Sequence, residues 1–395
     1  MNKRIPLWMA ISVGLILCAA VMAGTFFYTL HTFKAIRNSE AEMFAKLSEI
    51  SRTISYEFYQ DVDSEKLKDA AIKGFMSGLG DRYSNYYSVE DTEANTAEFQ
   101  GKNKGIGIYY VDSPETGHLY ITRVHSDSPA QKAGIESGDY IIKINGKEFS
   151  PGNHDEVISP LDEFGATVSM ELKKPDGTIA AIEVVTAEYM SQTVWWEMID
   201  NIGYIYIDRF NDTTFQQLQE AMKQIENAEG VVFDLRDNPG GTVDSLGDCL
   251  DYLLPSGDLI VATYRDSSSK VLKSSDAKAA LEVPAVVVVD HNTASSAEIF
   301  ALAMRDLISA PIIGETTFGK GVMQTTHYFE DGSSFKYSTA IISSHSRTSY
   351  NGKGIIPDVT IEPSSEEKIA AMMAPIRQDP VVLSALEVLG DMVDN

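Results

Sequence analysis

Three stretches of the chain carry residues whose types and spacing suit nucleophilic chemistry. In one, Asp290-His291-Asn292-Thr293-Ala294-Ser295-Ser296-Ala297-Glu298 follows an apolar run at 283–289 and opens a segment with helical spacing. A serine at a strand-to-helix junction presents its hydroxyl at the C-terminal edge of a sheet. There the free N–H groups and dipole of the following helix favour a developing oxyanion. The same residues also suit simple helix capping by Thr293, Ser295 or Ser296. In another stretch, Phe318-Gly319-Lys320-Gly321 sets a lysine between two glycines, with Gln324 four residues on. A loop lysine is ordinarily a solvated surface group; burial disfavours its charged form, and the neutral amine is then a base. Gln324 would face that lysine, or a substrate, if the segment is helical. The third, Asp234-Leu235-Arg236-Asp237-Asn238-Pro239-Gly240-Gly241, lies just past an apolar run. It reads either as an ordinary strand-to-helix turn or as a turn whose amides point into a cleft.

Each stretch hangs on an element that must position it. The runs at 203–207, 230–235 and 283–289 read as buried strands, and Phe215, Leu218, Met222 and Ile225 recur at helical spacing between the first two. That alternation predicts an α/β core with at least partly parallel strands. Upstream, Gly105-Ile106-Gly107-Ile108 precedes a strand-like segment at 119–124. Ser128-Pro129 then suits the start of a short helix, and Asn145-Gly146 a tight turn between strands. In that order these pieces resemble a PDZ domain, whose glycine-rich loop and exposed strand edge receive a chain terminus. Plain turn-shaping by Gly105 and Gly107 is the alternative. Residues 36–75 show helical apolar spacing and read as an arm.

Composition narrows the function classes. A formal net charge of -25 argues against nucleic-acid binding, which needs clustered Lys and Arg. The two cysteines, Cys18 and Cys249, have no metal-ligand spacing and are unsuited to pairing, and no motif calls for a metal or other cofactor. At the N-terminus, Lys3 and Arg4 precede an apolar stretch over residues 5–30. It is long enough for one transmembrane helix, with a cleaved signal peptide as the competing reading.

Together the catalytic-type stretches resemble the C-terminal processing peptidases, or tail-specific proteases. The likeness spans roughly residues 45–390 and includes Leu79-Gly80-Asp81 with Tyr83-Ser84, Ala294-Ser295 with Glu298, Phe318-Gly319-Lys320-Gly321 with Gln324, and Gly352-Lys353-Gly354-Ile355. The resemblance implies an α/β protease core, ClpP/crotonase-like, with an inserted PDZ domain, an N-terminal helical arm and one N-terminal transmembrane helix. The expected boundaries are a membrane anchor or signal at 1–35, a helical region at 36–98, the PDZ domain at 99–189, the protease core at 190–365 and a C-terminal helical segment at 366–395.

It further implies a serine endopeptidase with Ser295 as nucleophile, Lys320 as base and Gln324 supporting the lysine. Backbone N–H groups of Gly240, Gly241 and Ser296 would form the oxyanion hole. The family pattern sets the nucleophile three residues before Glu298, which selects Ser295 over the adjacent Ser296. Gly105, Ile106, Gly107 and Ile108 would dock protein or peptide substrates by their C-termini and gate access. Homodimerisation, an activating partner protein and a single-pass extracytoplasmic location at the cell membrane are expected on the same ground; secretion after signal cleavage is the alternative. A Ser-His-Asp hydrolase using His291, His327 or His345 competes poorly, because no Gly-x-Ser-x-Gly elbow is present. A membrane-tethered PDZ scaffold with an inert protease fold is the reading from another class.

Overall fold

Residues 7–149, 153–276 and 278–393 are described in the computed structural model. The chain separates into two units, Met1–Gly74 and Phe75–Asn395. In the first, helix α1 (Leu7–Glu57) is followed by α2 (Ser64–Ser77), whose start is fixed by Asp63: its carboxylate accepts the N–H groups of Glu65 and Lys66 at 3.2 and 3.1 Å. Among the described residues no helix is long and apolar enough to cross a membrane. The expected span over 5–30 falls largely on residues whose side chains lie outside the described set. Residues 1–6, and the side chains of 7–16, 19, 27 and 30–40, are not part of it.

The second unit opens with β1 (Asn85–Tyr87) and α3 (Val89–Phe99). Next come β2 (Lys102–Gly105), β3 (Ile108–Asp112), β4 (Leu119–Val124), α4 (Pro129–Lys132), β5 (Tyr140–Ile144), β6 (Lys147–Glu148), α5 (His154–Ile158), β7 (Thr167–Lys173), β8 (Ile179–Val185) and β9 (Ala187–Met190). An antiparallel sheet in the order β3-β4-β5-β7-β8 wraps a core that includes Ile106, Leu119, Ile121, Ile141 and Leu172. Ser128 caps α4 ahead of Pro129, and Asn145 and Gly146 both take positive φ between β5 and β6, as their sequence signals predict. The incoming strand β2 pairs antiparallel with the outgoing strand β9, so this domain is hung from the rest on a two-stranded ribbon.

The remaining elements are β10 (Val194–Ile199), β11 (Ile202–Ile207), α6 (Thr214–Gln224), β12 (Gly230–Asp234), α7 (Val243–Leu253), β13 (Gly257–Tyr264), β14 (Ser269–Ser275), β15 (Ala285–Val289), α8 (Ser296–Ile308), β16 (Ile312–Gly314), β17 (Val322–Tyr328), β18 (Ser334–Ser343), β19 (Val359–Thr360), α9 (Ser365–Met373) and α10 (Pro380–Val393). The central sheet runs β10-β11-β12-β15-β16-β19, parallel from β11 onward. Val287 and Val289 face one way into a core shared with Phe300 and Leu250, while Val286 and Val288 face the other way onto Val382 and Leu389 of α10. Burial on both faces explains why this strand reads as an unbroken apolar run. A second sheet, β1-β18-β13-β14 with β17 paired to β18, carries the segment that follows Lys320.

Candidate active site

The loops leaving the C-terminal ends of β12 and β15 meet, and hydrogen bonds lace them together. Asp290 Oδ1 accepts the N–H groups of Asp237 at 3.0 Å and Thr293 at 2.9 Å. Thr293 Oγ1 donates to the Leu235 carbonyl at 2.8 Å, and Ala294 N–H to the Asn238 carbonyl at 2.9 Å. At the end of this lacing Ser295 sits at the N-terminus of α8 with φ 56° and ψ −117°, a conformation that L-residues rarely adopt. Strain of this kind turns a side chain out of the regular path of the chain, as a sharp strand-to-helix turn requires.

The Gly-Gly turn packs directly against Ser295. A Cβ on Gly240 would lie 2.8 Å from Ser295 Cβ and 2.9 Å from the Ser296 nitrogen; one on Gly241 would lie 1.9 Å from the Phe210 carbonyl oxygen. Of the three expected oxyanion donors, Gly240 N–H is already taken up, donating to Asn238 Oδ1 at 2.8 Å. Neither Gly241 N–H nor Ser296 N–H, the first of α8, has a hydrogen-bond partner among the described residues. The Ser296 side chain is buried, and its hydroxyl donates to the Gly241 carbonyl at 3.0 Å, which leaves Ser295 with the less committed hydroxyl.

Lys320 lies in the loop between β16 and β17. Its Nζ is 5.1 Å from the Tyr83 ring centroid and has no hydrogen-bond or ion-pair partner among the described residues, Ser295 Oγ included. Catalytic hydrogen bonds are commonly long without substrate and tighten when it binds. Burial holds the lysine's pKa below its ordinary value, helped by the positive charges of Lys336 and Arg82 and opposed by Glu298 and Asp81. The loop at 81–84 thus belongs to the site. Asp81 accepts Ser84 Oγ at 2.6 Å and Tyr83 N–H at 3.1 Å, and Arg82 stacks over the rings of Tyr83 and Phe318.

Glu298, 0% exposed on the first turn of α8, joins the two loops. Its Oε2 accepts the backbone N–H groups of Ser295 at 2.9 Å and Lys320 at 2.8 Å. Its Oε1 accepts Gly319 N–H at 2.8 Å and Thr317 Oγ1 at 2.5 Å. Burial pushes its pKa up, against the pull of these four donors.

Gln324 is placed differently from its helical expectation. It lies on strand β17, where four residues span about 13 Å, and its Nε2 donates to the Val322 carbonyl at 2.8 Å rather than to Lys320. None of the three histidines meets Ser295: His291 bonds Glu315 at 2.7 Å, His327 packs among Phe329 and Phe335, and His345 is in an exposed turn.

In the inserted domain Gly105 and Gly107 have φ of 126° and 82°, and a Cβ on Gly107 would lie 2.5 Å from Ser128 Cβ. Ile106 is buried between them and its carbonyl accepts Ala130 N–H at 2.8 Å. β3, beginning at Ile108, is the outermost strand of its sheet, with β4 on one side only. Tyr109 on β3 donates its hydroxyl to Asp208 Oδ2 at 3.0 Å, tying this strand to the core.

Comparison with known proteins places the chain in a family. The pattern of peptidase family S41 matches residues 201–361, that of the PDZ domain residues 96–173, and that of the activating protease CtpB N-terminal domain residues 26–92. The chain is 34% identical over 324 residues to the carboxy-terminal processing protease CtpA of Bacillus subtilis (strain 168), covering 81% of this chain and 69% of that protein. A probable CtpA-like serine protease of Staphylococcus haemolyticus is 28% identical over 381 residues, covering 94% and 76%. Among solved structures, a putative S41 protease from Bacteroides fragilis superposes with a TM-score of 0.61 at 17% identity over 81% of this chain and 90% of that one, a likeness of fold. By its likeness to the Bacillus protease over most of both chains, this protein belongs to the carboxy-terminal processing proteases of peptidase family S41 and carries a PDZ domain.

Proposed function

We propose that in this serine endopeptidase Ser295 is the nucleophile and Lys320 its general base. Neutral Lys320 Nζ takes the proton from Ser295 Oγ as the oxygen bonds to a peptide carbonyl carbon. The negative oxygen is received by the N–H groups of Gly241 and Ser296. Collapse breaks the C–N bond, and the lysine returns its proton to the leaving amine. The resulting acyl ester is cleared by water, whose proton passes through the same lysine back to Ser295. The observation that carries this reading is the half-buried Lys320 amine, unpaired among the described residues and with its pKa lowered, on a loop tied to the same carboxylate as the Ser295 amide.

Substrates are proteins or peptides with accessible C-termini, received on the open edge of β3 with Gly105, Ile106, Gly107 and Ile108 at its start, so that binding there gates cleavage. Gln324 supports Lys320, or orients the substrate, from its place on strand β17. The finer assignments are a ClpP/crotonase-like ancestry for the core, an anchor within residues 1–35 holding the catalytic unit outside the cytoplasm, self-association through the helical terminal regions, and an activating partner. Release of the protein from membranes by salt or carbonate wash alone would rule out the anchor.

The direct test is cleavage of a denatured, fluorescently labelled protein by the full chain beside its Ser295→Ala and Lys320→Ala variants. Activity lost in both variants is the expected result. Activity retained by Lys320→Ala would remove the lysine from the mechanism.

A further inference from the structure

The geometry points to Glu298 as a positioning residue that sets the loop of Lys320 against the helix of Ser295; this inference rests on the Ser295–Lys320 reading above. A carboxylate buried away from water is expensive unless its oxygens are satisfied. Glu298 is fully buried and no cation pairs with it among the described residues; its satisfaction comes from four donors instead. Three are backbone amides, and two of those belong to the two residues of the chemistry. The fourth, Thr317 Oγ1, itself accepts Ile355 N–H at 2.7 Å, which draws in a further segment. One side chain thereby holds together the start of α8, the 317–320 loop and the 352–355 loop.

Every group facing Glu298 is a donor, so the site is built for the ionised carboxylate. A glutamine of the same shape would turn an NH₂ group toward an N–H. The carboxylate also faces Lys320 electrostatically, where its charge favours the protonated amine and opposes Lys336 and Arg82. Glu298 touches neither substrate nor reacting atom; it acts through the placement of two backbones and through its charge.

The test is steady-state kinetics and the pH profile of the full-length Glu298→Gln variant on a labelled denatured protein, beside the wild type. Misplacing a catalytic group by an ångström lowers the rate by about 100-fold, so kcat is expected to fall by about that factor with KM within about threefold. The acid limb of the profile is expected to move to lower pH, because a negative charge beside Lys320 has been removed; a purely structural role would lower the melting temperature and leave this limb in place. Unchanged kcat, or a lower kcat with an unmoved limb, overturns the proposal. If Glu298→Gln does not fold, Thr317→Val removes one of the four donors and keeps the carboxylate. It is expected to lose about tenfold in kcat, with Thr317→Ser restoring it, and wild-type kcat in Thr317→Val overturns the proposal. Lys320→Ala separates the two claims. Wild-type activity in that variant sinks the dyad, whereas its inactivity beside a normal kcat in Glu298→Gln sinks only the positioning role.

Discussion

Ser295 and Lys320, far apart in sequence, donate their backbone N–H groups to one carboxylate oxygen, Glu298 Oε2, at 2.9 and 2.8 Å. The separation between the proposed nucleophile and base is therefore set by main chain, while the Lys320 amine has no hydrogen-bond partner among the described residues. That combination suits a hydroxyl and an amine that must approach each other only when a substrate closes the gap.

Two adjacent serines give a sharp comparison. Ser296 donates its hydroxyl to the Gly241 carbonyl, whereas Ser295 stands at the strained turn. Ser296→Ala loses about 1 kcal/mol of stability with its hydrogen bond and keeps activity within about tenfold. Ser295→Ala loses activity altogether. Equal inactivation of both variants, measured on correctly folded protein, would contradict the assignment.

The Gly-Gly turn tolerates no side chain. Alanine at Gly241 would drive a methyl group to 1.9 Å from the Phe210 carbonyl oxygen, and alanine at Gly240 would press within 2.8 Å of Ser295 Cβ. Gly240→Ala is expected to lower kcat by about 100-fold through displacement of Ser295. Gly241→Ala is expected to destabilise the fold by about 2 kcal/mol or more as well. Thermal melts beside kinetics separate the two; a Gly240→Ala enzyme with normal kcat would refute the close packing.

If Lys320 is the base as proposed, activity requires its unprotonated form and is expected to rise with pH as Lys320 gives up its proton, at a pH below the ordinary lysine value. Lys336 contributes to that lowering. Lys336→Met removes its positive charge, makes the proton on Lys320 harder to lose and moves the limb to higher pH, by about half a unit for one charge across a partly solvated site. A limb that stays fixed, or moves to lower pH, would be inconsistent with this arrangement.

His125 predicts an acid-sensitive fold. It is buried beside Tyr109, Tyr189 and Trp195, its Nδ1 accepts Gln192 N–H at 3.0 Å, and burial pushes its pKa down to about 4. The unfolded chain takes up this proton near pH 6.5, and the folded protein only near 4. Its contribution is thus whole above 6.5 and is lost as the pH falls to 4, up to about 3 kcal/mol in all. Denaturant melts across that window should show a shallower decline in His125→Phe; parallel curves for the two proteins would exclude His125 as the cause.

The residues that carry local instructions were readable in the sequence. The apolar run at 285–289 is a strand buried on both faces, Ser128-Pro129 starts a helix, and Asn145-Gly146 turns a hairpin. Each depends on a few neighbouring residues. Gln324 shows where such reading stops, because helix or strand at that position is decided by pairing with β18, a partner that local spacing does not announce. The commitment of Gly240 N–H to Asn238 was equally hidden, since it depends on a side chain folding back on its own turn. The part played by the loop at 81–84, brought to Lys320 from far upstream, was visible only as an unexplained motif.

The ribbon of β2 against β9 has a consequence for how such a chain is assembled over evolutionary time. Because the two strands already bring Gly105 and Ala187 side by side, the hydrolytic core meets the same pair of ends whatever lies between them. Closing a longer loop there adds only about 0.6 kcal/mol per doubling of its length. The recognition module is in this sense a cartridge in a fixed socket, and a new appetite can be fitted without redesigning the blade.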